Sequence, residues 1–122
     1  MKNILFIILA LAAISCTPQK NTTMESAKSL SELNNSQKPV STQVAFLTKE
    51  GKVISLQILK NQQLAEHTTK VPALLVCVKG YAVYSDENGK KVELKSGTYY
   101  NIPENIKHKV YALEDSNFLL IK

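Results

Sequence analysis

A chain of 122 residues allows one domain and little more. Its formal charge of +5 comes from fifteen basic residues against ten acidic ones, and every basic residue is Lys. Bidentate and stacking contacts to nucleic acid are chiefly Arg chemistry, and these lysines are spread along the chain. Nucleic acid is therefore excluded as a partner, and a solvated surface favouring anionic lipid headgroups is the better reading.

The chain opens with one charge at Lys2, an unbroken apolar run over residues 4–14, and the small residue Ser15 before Cys16. A helix over that run rises only about 16 Å, half of a bilayer core, so it reads as a cleaved signal peptide covering residues 1–15. Ala13-Ile14-Ser15-Cys16 resembles a lipobox, in which the thiol after the cleavage point receives a diacylglyceryl group. Leu is commoner where Ala13 stands. Lipidation at Cys16 would hold the mature protein on a bacterial membrane, in the periplasm or at the cell surface, because each acyl methylene adds about 0.8 kcal/mol of membrane affinity.

Residues 16–40 are rich in Ser, Thr, Asn, Gln and Lys and read as a flexible tether, with only a weak helical pattern through Leu30 and Leu33. With Cys16 given to lipid, Cys77 has no partner and no disulfide framework exists. Cys77 sits inside the apolar run 74–78, where a lone thiol is a small buried hydrophobe rather than a reactive group.

From residue 41 to 122 the hydrophobic period is two. Residues 52–60 alternate Ile54, Leu56 and Ile58 with Val53, Ser55, Gln57 and Leu59. Further strands are expected at 73–79, 81–85, 91–94, 98–102, 108–113 and 118–121. Asp86-Glu87-Asn88-Gly89 is a hairpin turn, since Asn-Gly tolerates the positive φ that tight turns need. Eight to nine short strands in some eighty residues predict an all-β barrel or jelly roll. The run 74–78 is apolar on both faces of one strand. Its outward set, Leu74, Val76 and Val78, needs cover from a second sheet or a second subunit, and a homodimer is expected.

The stretch from Glu66 to Ile121 resembles a cupin. The first cupin motif has two His separated by one residue, a Glu three or four later and a Gly seven after that; the same spacing here holds His67, Thr69, Ala73 and Gly80. The second runs Gly, five residues, Pro, a Gly two later, a His three further on and an Asn four beyond; here it holds Gly97, Pro103, Asn105, His108 and Ala112. The resemblance implies a double-stranded β-helix, the cupin jelly-roll barrel, behind the signal peptide and a disordered tether. It also implies a pocket lined by His67, Thr69, Ala73, Tyr100 and His108.

The departures from the family pattern bear on function. Two of four ligand positions are filled, by His67 and His108, while Thr69 and Ala73 replace a His and the Glu. The 2-His-1-carboxylate triad of Fe(II) oxygen chemistry is absent at its family positions. Cys77, four residues past Ala73 on one strand, lies about 13 Å away and cannot substitute, and Glu66 should face away from His67. The pair reads as a partial site for a weakly bound divalent transition metal, as neutral imidazoles hydrogen-bonded in a polar pocket, or as a metal-free acid/base pair without a visible carboxylate to orient it. Three functions follow: a small-ligand or weak metal-binding module without a catalytic constellation, a metal-dependent isomerase or oxygenase acting on a sugar or small acid, or an interaction subunit of an envelope assembly.

Overall fold

The computed structural model describes residues 11–18 and 22–122. Most of the expected signal segment lies outside the described residues, and Cys16 is exposed. Among the described residues no helix is long and apolar enough to cross a membrane.

Nine strands follow one helical turn, α1 (Leu30–Leu33): β1 (Val40–Leu47), β2 (Lys52–Ile58), β3 (Gln63–His67), β4 (Ala73–Lys79), β5 (Tyr81–Asp86), β6 (Lys91–Lys95), β7 (Tyr99–Ile102), β8 (His108–Ala112) and β9 (Ser116–Ile121). They form two antiparallel sheets, one ordered β1-β2-β9-β4-β7 and the other β3-β8-β5-β6. This is the all-β architecture that the period-two pattern predicts. The apolar core comes from alternate positions on five strands: Leu56 and Ile58 on β2, Ala73, Leu75 and Cys77 on β4, Ala82 and Tyr84 on β5, Val110 and Ala112 on β8, and Phe118 on β9. Burying a side chain of the Leu or Phe class contributes about 1.5–3 kcal/mol, so these positions hold the two sheets together. Cys77 belongs to this core, its thiol pushed to higher pKa chiefly by burial.

Two turns explain their residues. The β5–β6 hairpin closes at Gly89 with φ +78, its amide donating to the Asp86 carbonyl at 3.1 Å. At Gly80, between β4 and β5, φ is +105 and an added Cβ would run into the Asp115 carbonyl oxygen at 2.5 Å and into Ser116. Only Gly permits that approach.

The packed structure reaches back into the segment expected to be a tether. Asn34 is 2% exposed and its side-chain amide donates to the carbonyls of Ser41 (3.0 Å) and Ser55 (3.1 Å). Asn34, inside the segment expected to be a tether, is thus packed against β1 and β2.

The outer face of the five-stranded sheet carries two apolar rows. Register aligns Phe46, Val53, Ile121 and Leu74 in one, and Leu119, Val76 and Tyr99 in the other. Phe46 is 61% and Tyr99 66% exposed.

Candidate functional site

His67 reaches the barrel interior through an irregularity in β3. From Gln63 and Leu64 the β3–β8 ladder runs in regular register opposite Tyr111 and Val110, which would set His67 opposite Lys107 with its side chain outward. A bulge between Leu64 and His67 adds one residue, so His67 pairs with His108 instead. Glu66 consequently faces out, where it is exposed.

The two imidazoles lie with centroids 4.4 Å apart, tilted at 57°. Each ring nitrogen Nδ1 bonds a backbone carbonyl two residues earlier, His67 to Ala65 at 2.8 Å and His108 to Ile106 at 2.9 Å. A carbonyl only accepts, so Nδ1 carries the hydrogen in both rings and Nε2 keeps its lone pair in the neutral form. His108 is 1% exposed, and burial is the main cause of its lowered pKa; the Ile106 carbonyl and Asp86 oppose that shift and His67 adds to it.

Behind the pair runs an aromatic column. Tyr84 stacks on His108 at 5.5 Å, and Tyr100 lies 4.6 Å from Tyr84. Asp86 sits in register with His108 on β5, so His67, His108 and Asp86 form one row across three strands. Its carboxylate is already engaged: Oδ2 accepts from the Tyr84 hydroxyl at 3.2 Å, and Oδ1 from the amides of Asn88 (2.9 Å) and Lys90 (3.1 Å). Burial, and then this bond to Asp86, push the Tyr84 phenol well above its ordinary range. Tyr84 and Asp86 were not legible as site residues. Asp86 reads in sequence as a turn former, which it also is, and only its register with His108 reveals the second role.

Thr69 stands in the β3–β4 loop, 7% exposed, and its hydroxyl has no hydrogen-bond partner. The loop is fastened to the β7–β8 connection by the Asn105 amide donating to the Thr69 carbonyl at 2.8 Å. Asn105, at a position where the cupin motif has Gly, takes φ +58, a left-handed conformation that Asn tolerates better than most residues. Ala73 begins β4 with its methyl in the core opposite Ile102. The structure thus joins His67 and His108 directly, adds Tyr100 through Tyr84, and leaves Ala73 as core. A cavity of about 610 Å³ opens at the barrel mouth, lined by residues 47–52 of the β1–β2 turn, residues 67–71 and Lys122. His108 lies behind His67 and does not line it.

Tested against a transition metal, the residues present fit half of a site. Two imidazoles with free Nε2 lone pairs and backbone-held Nδ1 hydrogens are the arrangement that metal-binding histidines adopt. No carboxylate joins them, and no group of three or more His, Cys, Asp or Glu able to hold an ion occurs among the described residues.

No protein-family model matches the sequence, and no curated protein is significantly similar to it. Solved structures are similar in fold. A cupin superfamily protein from Desulfitobacterium hafniense superposes with a TM-score of 0.71 at 16% identity, covering 84% of this chain and 94% of its own. An RmlC-like cupin protein from Desulfovibrio desulfuricans gives 0.67 at 17%, covering 81% and 95%. An uncharacterized conserved protein with a double-stranded β-helix domain from Klebsiella pneumoniae gives 0.68 at 20%, covering 80% and 89%. With two antiparallel sheets in the observed order and these likenesses, the chain has the cupin double-stranded β-helix fold.

Proposed function

We propose that the protein is an envelope-anchored cupin module, tethered to a bacterial membrane through lipidated Cys16, that binds a small ligand or a divalent transition metal at His67 and His108 and carries no catalytic constellation. The observation that supports this reading is the pair of imidazoles held by Nδ1–H bonds to the Ala65 and Ile106 carbonyls, which leave two Nε2 lone pairs on neighbouring strands. An oxygenase or isomerase reading is less well supported, because Ala73 supplies no ligand and Asp86 is held by Tyr84 and the hairpin amides. A bound ion would act as a Lewis acid toward a ligand oxygen or nitrogen.

The test is calorimetric titration of untagged protein with Zn, Ni and Cu, beside His67→Gln and His108→Gln. Stoichiometric binding that either substitution abolishes supports the metal-binding form. If saturation is never reached, or both variants bind as wild type does, the pair is not a metal site. Membrane fractionation of Cys16→Ala tests the anchor: a processed variant that still sediments with membranes refutes it.

A second reading, self-association, is favoured by the apolar rows through Phe46 and Tyr99, which no part of the described chain covers. Monomers seldom leave so large an apolar face open, and a second copy covers it with a chemically matching face.

A further inference from the structure

We propose that residues 30–36 form a strap that seats the tether on the end of the barrel away from the mouth, so that the membrane-anchored module opens toward water rather than toward the bilayer. This rests on the anchoring at Cys16 proposed above. The strap lies on the outer face of the five-stranded sheet: Gln57 alternates with the core residues Leu56 and Ile58 and so faces out, and register sets Ser41 opposite it. Asn34, 2% exposed, donates through its amide nitrogen to the Ser41 carbonyl at 3.0 Å and the Ser55 carbonyl at 3.1 Å, and its Oδ1 accepts from the Ser41 hydroxyl at 2.8 Å. Two residues on, the Ser36 amide donates to Gln57 Oε1 at 3.0 Å. Lifting the strap would break all four bonds together, three of them made by one buried side chain, so Asn34 is a fixed point of the fold.

Register shows which end of the barrel this is. β2 starts at the mouth, where Lys52 lines the cavity and bonds Lys122, and it ends at Ile58 opposite Ser116, about 20 Å away at 3.3 Å per residue. The helical turn α1 lies at that far end. Leu30 and Ser31 line a groove with Val78, Lys79 and Asn117, and Glu32 and Asn34 line its neighbour with Asp115 and Ser116. From Cys16 to Leu30 the chain spans at most about 50 Å fully extended, whereas a free length running on to Val40, where β1 starts, would reach about 85 Å. The strap thus shortens the reach by nearly half and starts it from the end opposite His67. A body held by one end on a short tether loses the orientations that would drive its bulk into the bilayer, and those that remain turn its free end outward.

The experiment uses the full lipoprotein, acylated at Cys16, in vesicles that carry a fluorescence acceptor on the lipid headgroups. With Cys16 acylated and Cys77 buried, a donor dye attaches at one engineered thiol, Lys49→Cys at the mouth or Glu114→Cys at the far end. Transfer from position 114 should be at least about twofold more efficient than from position 49, given the separation of about 20 Å between the two ends of the barrel. Asn34→Ala, by releasing the strap, should lower the transfer from position 114. Equal transfer from the two positions, stronger transfer from position 49, or an Asn34→Ala protein that folds as wild type does by circular dichroism and keeps the wild-type transfer overturns the inference. The comparison of the two labels needs no strap variant, so it decides the orientation even where Asn34→Ala fails to fold. Flotation separates the two readings: a protein that does not float with the vesicles refutes the anchor, whereas one that floats and shows no difference between the labels refutes the orientation alone.

Discussion

Replacing Thr69 by Val should stabilise the ligand-free protein. The Thr69 side chain is enclosed, and its hydroxyl has neither a protein partner nor solvent contact. A buried donor without a partner costs about 1–3 kcal/mol relative to a paired or absent one, and Val presents the same branched shape with a methyl in place of the hydroxyl. The lower end of that range applies, because the loop borders the mouth cavity and can relax toward it. A gain of about 1 kcal/mol follows, which for a domain of this size raises Tm by about 4–8 °C in differential scanning calorimetry. The backbone is untouched, since it is the Thr69 carbonyl, not the hydroxyl, that holds Asn105. Thr69→Ser supplies the control: it keeps the hydroxyl, loses a methyl worth about 0.8 kcal/mol, and should lower Tm. A Tm for Thr69→Val at or below wild type would mean that the hydroxyl is satisfied in solution, and the reasoning from its isolation would fall with it.

Other outcomes follow from the same geometry. Burial lowers the His108 pKa below its ordinary 6.5, so the unfolded chain binds this proton more readily than the folded one; stability is full above about pH 6.5 and declines as pH falls from there toward the lowered value. Urea unfolding across pH 5–8 should show that slope in EDTA, and His108→Gln should remove it; an unchanged slope would place its origin elsewhere. Restoring the missing ligands, Thr69→His with Ala73→Glu, should give a protein less stable than wild type without metal by several kcal/mol and re-stabilised by Mn, Ni or Zn, as read by thermal unfolding. If the double variant gains no metal-dependent stability, positions 67, 69, 73 and 108 do not converge. Tyr99→Lys with Phe46→Lys should shift the soluble domain from dimer to monomer in sedimentation velocity without loss of folded signal; a wild-type domain that is monomeric at high micromolar concentration would refute the covered face.

The strands were legible because a half-buried strand must alternate. The expected 73–79 strand coincides with β4, and 81–85 and 91–94 each extend by a residue, to Asp86 and Lys95. The resemblance also placed His67 and His108 on neighbouring strands, and in the structure they pair directly. Three features lay beyond the pattern, each for a physical reason. The β3 bulge depends on pairing with β8, a partner more than forty residues away in sequence, and a period-two count from Leu64 would have turned His67 outward. Asn34 is buried by hydrogen bonds to strand carbonyls, whereas polar composition alone reads as tether. Val44, Phe46 and Leu47 are large apolar residues of the kind a covered strand carries, yet β1 is an edge and leaves them exposed. Composition records what a side chain prefers, not which neighbour the topology provides.

Thr69 and Ala73, where the cupin motif has a His and a Glu, are consistent with each other and with the two imidazoles. A Glu at position 73 would bring a carboxylate into a core where Ala73 now packs against apolar neighbours, and without a strongly bound cation that charge would cost several kcal/mol. Ala73 avoids that cost, and it offers no ligand to a cation. Each histidine is held as a neutral ring by its own chain, through the Ala65 and Ile106 carbonyls, and needs no metal to be stable. Asp86, the nearest carboxylate in register, is likewise tied to Tyr84 and the hairpin amides, so it neither demands a cation nor offers itself to one. Among the described residues the buried side-chain atoms left without a partner are the Thr69 hydroxyl in the β3–β4 loop and Asn117 Oδ1 on β9, neither of them in the imidazole row.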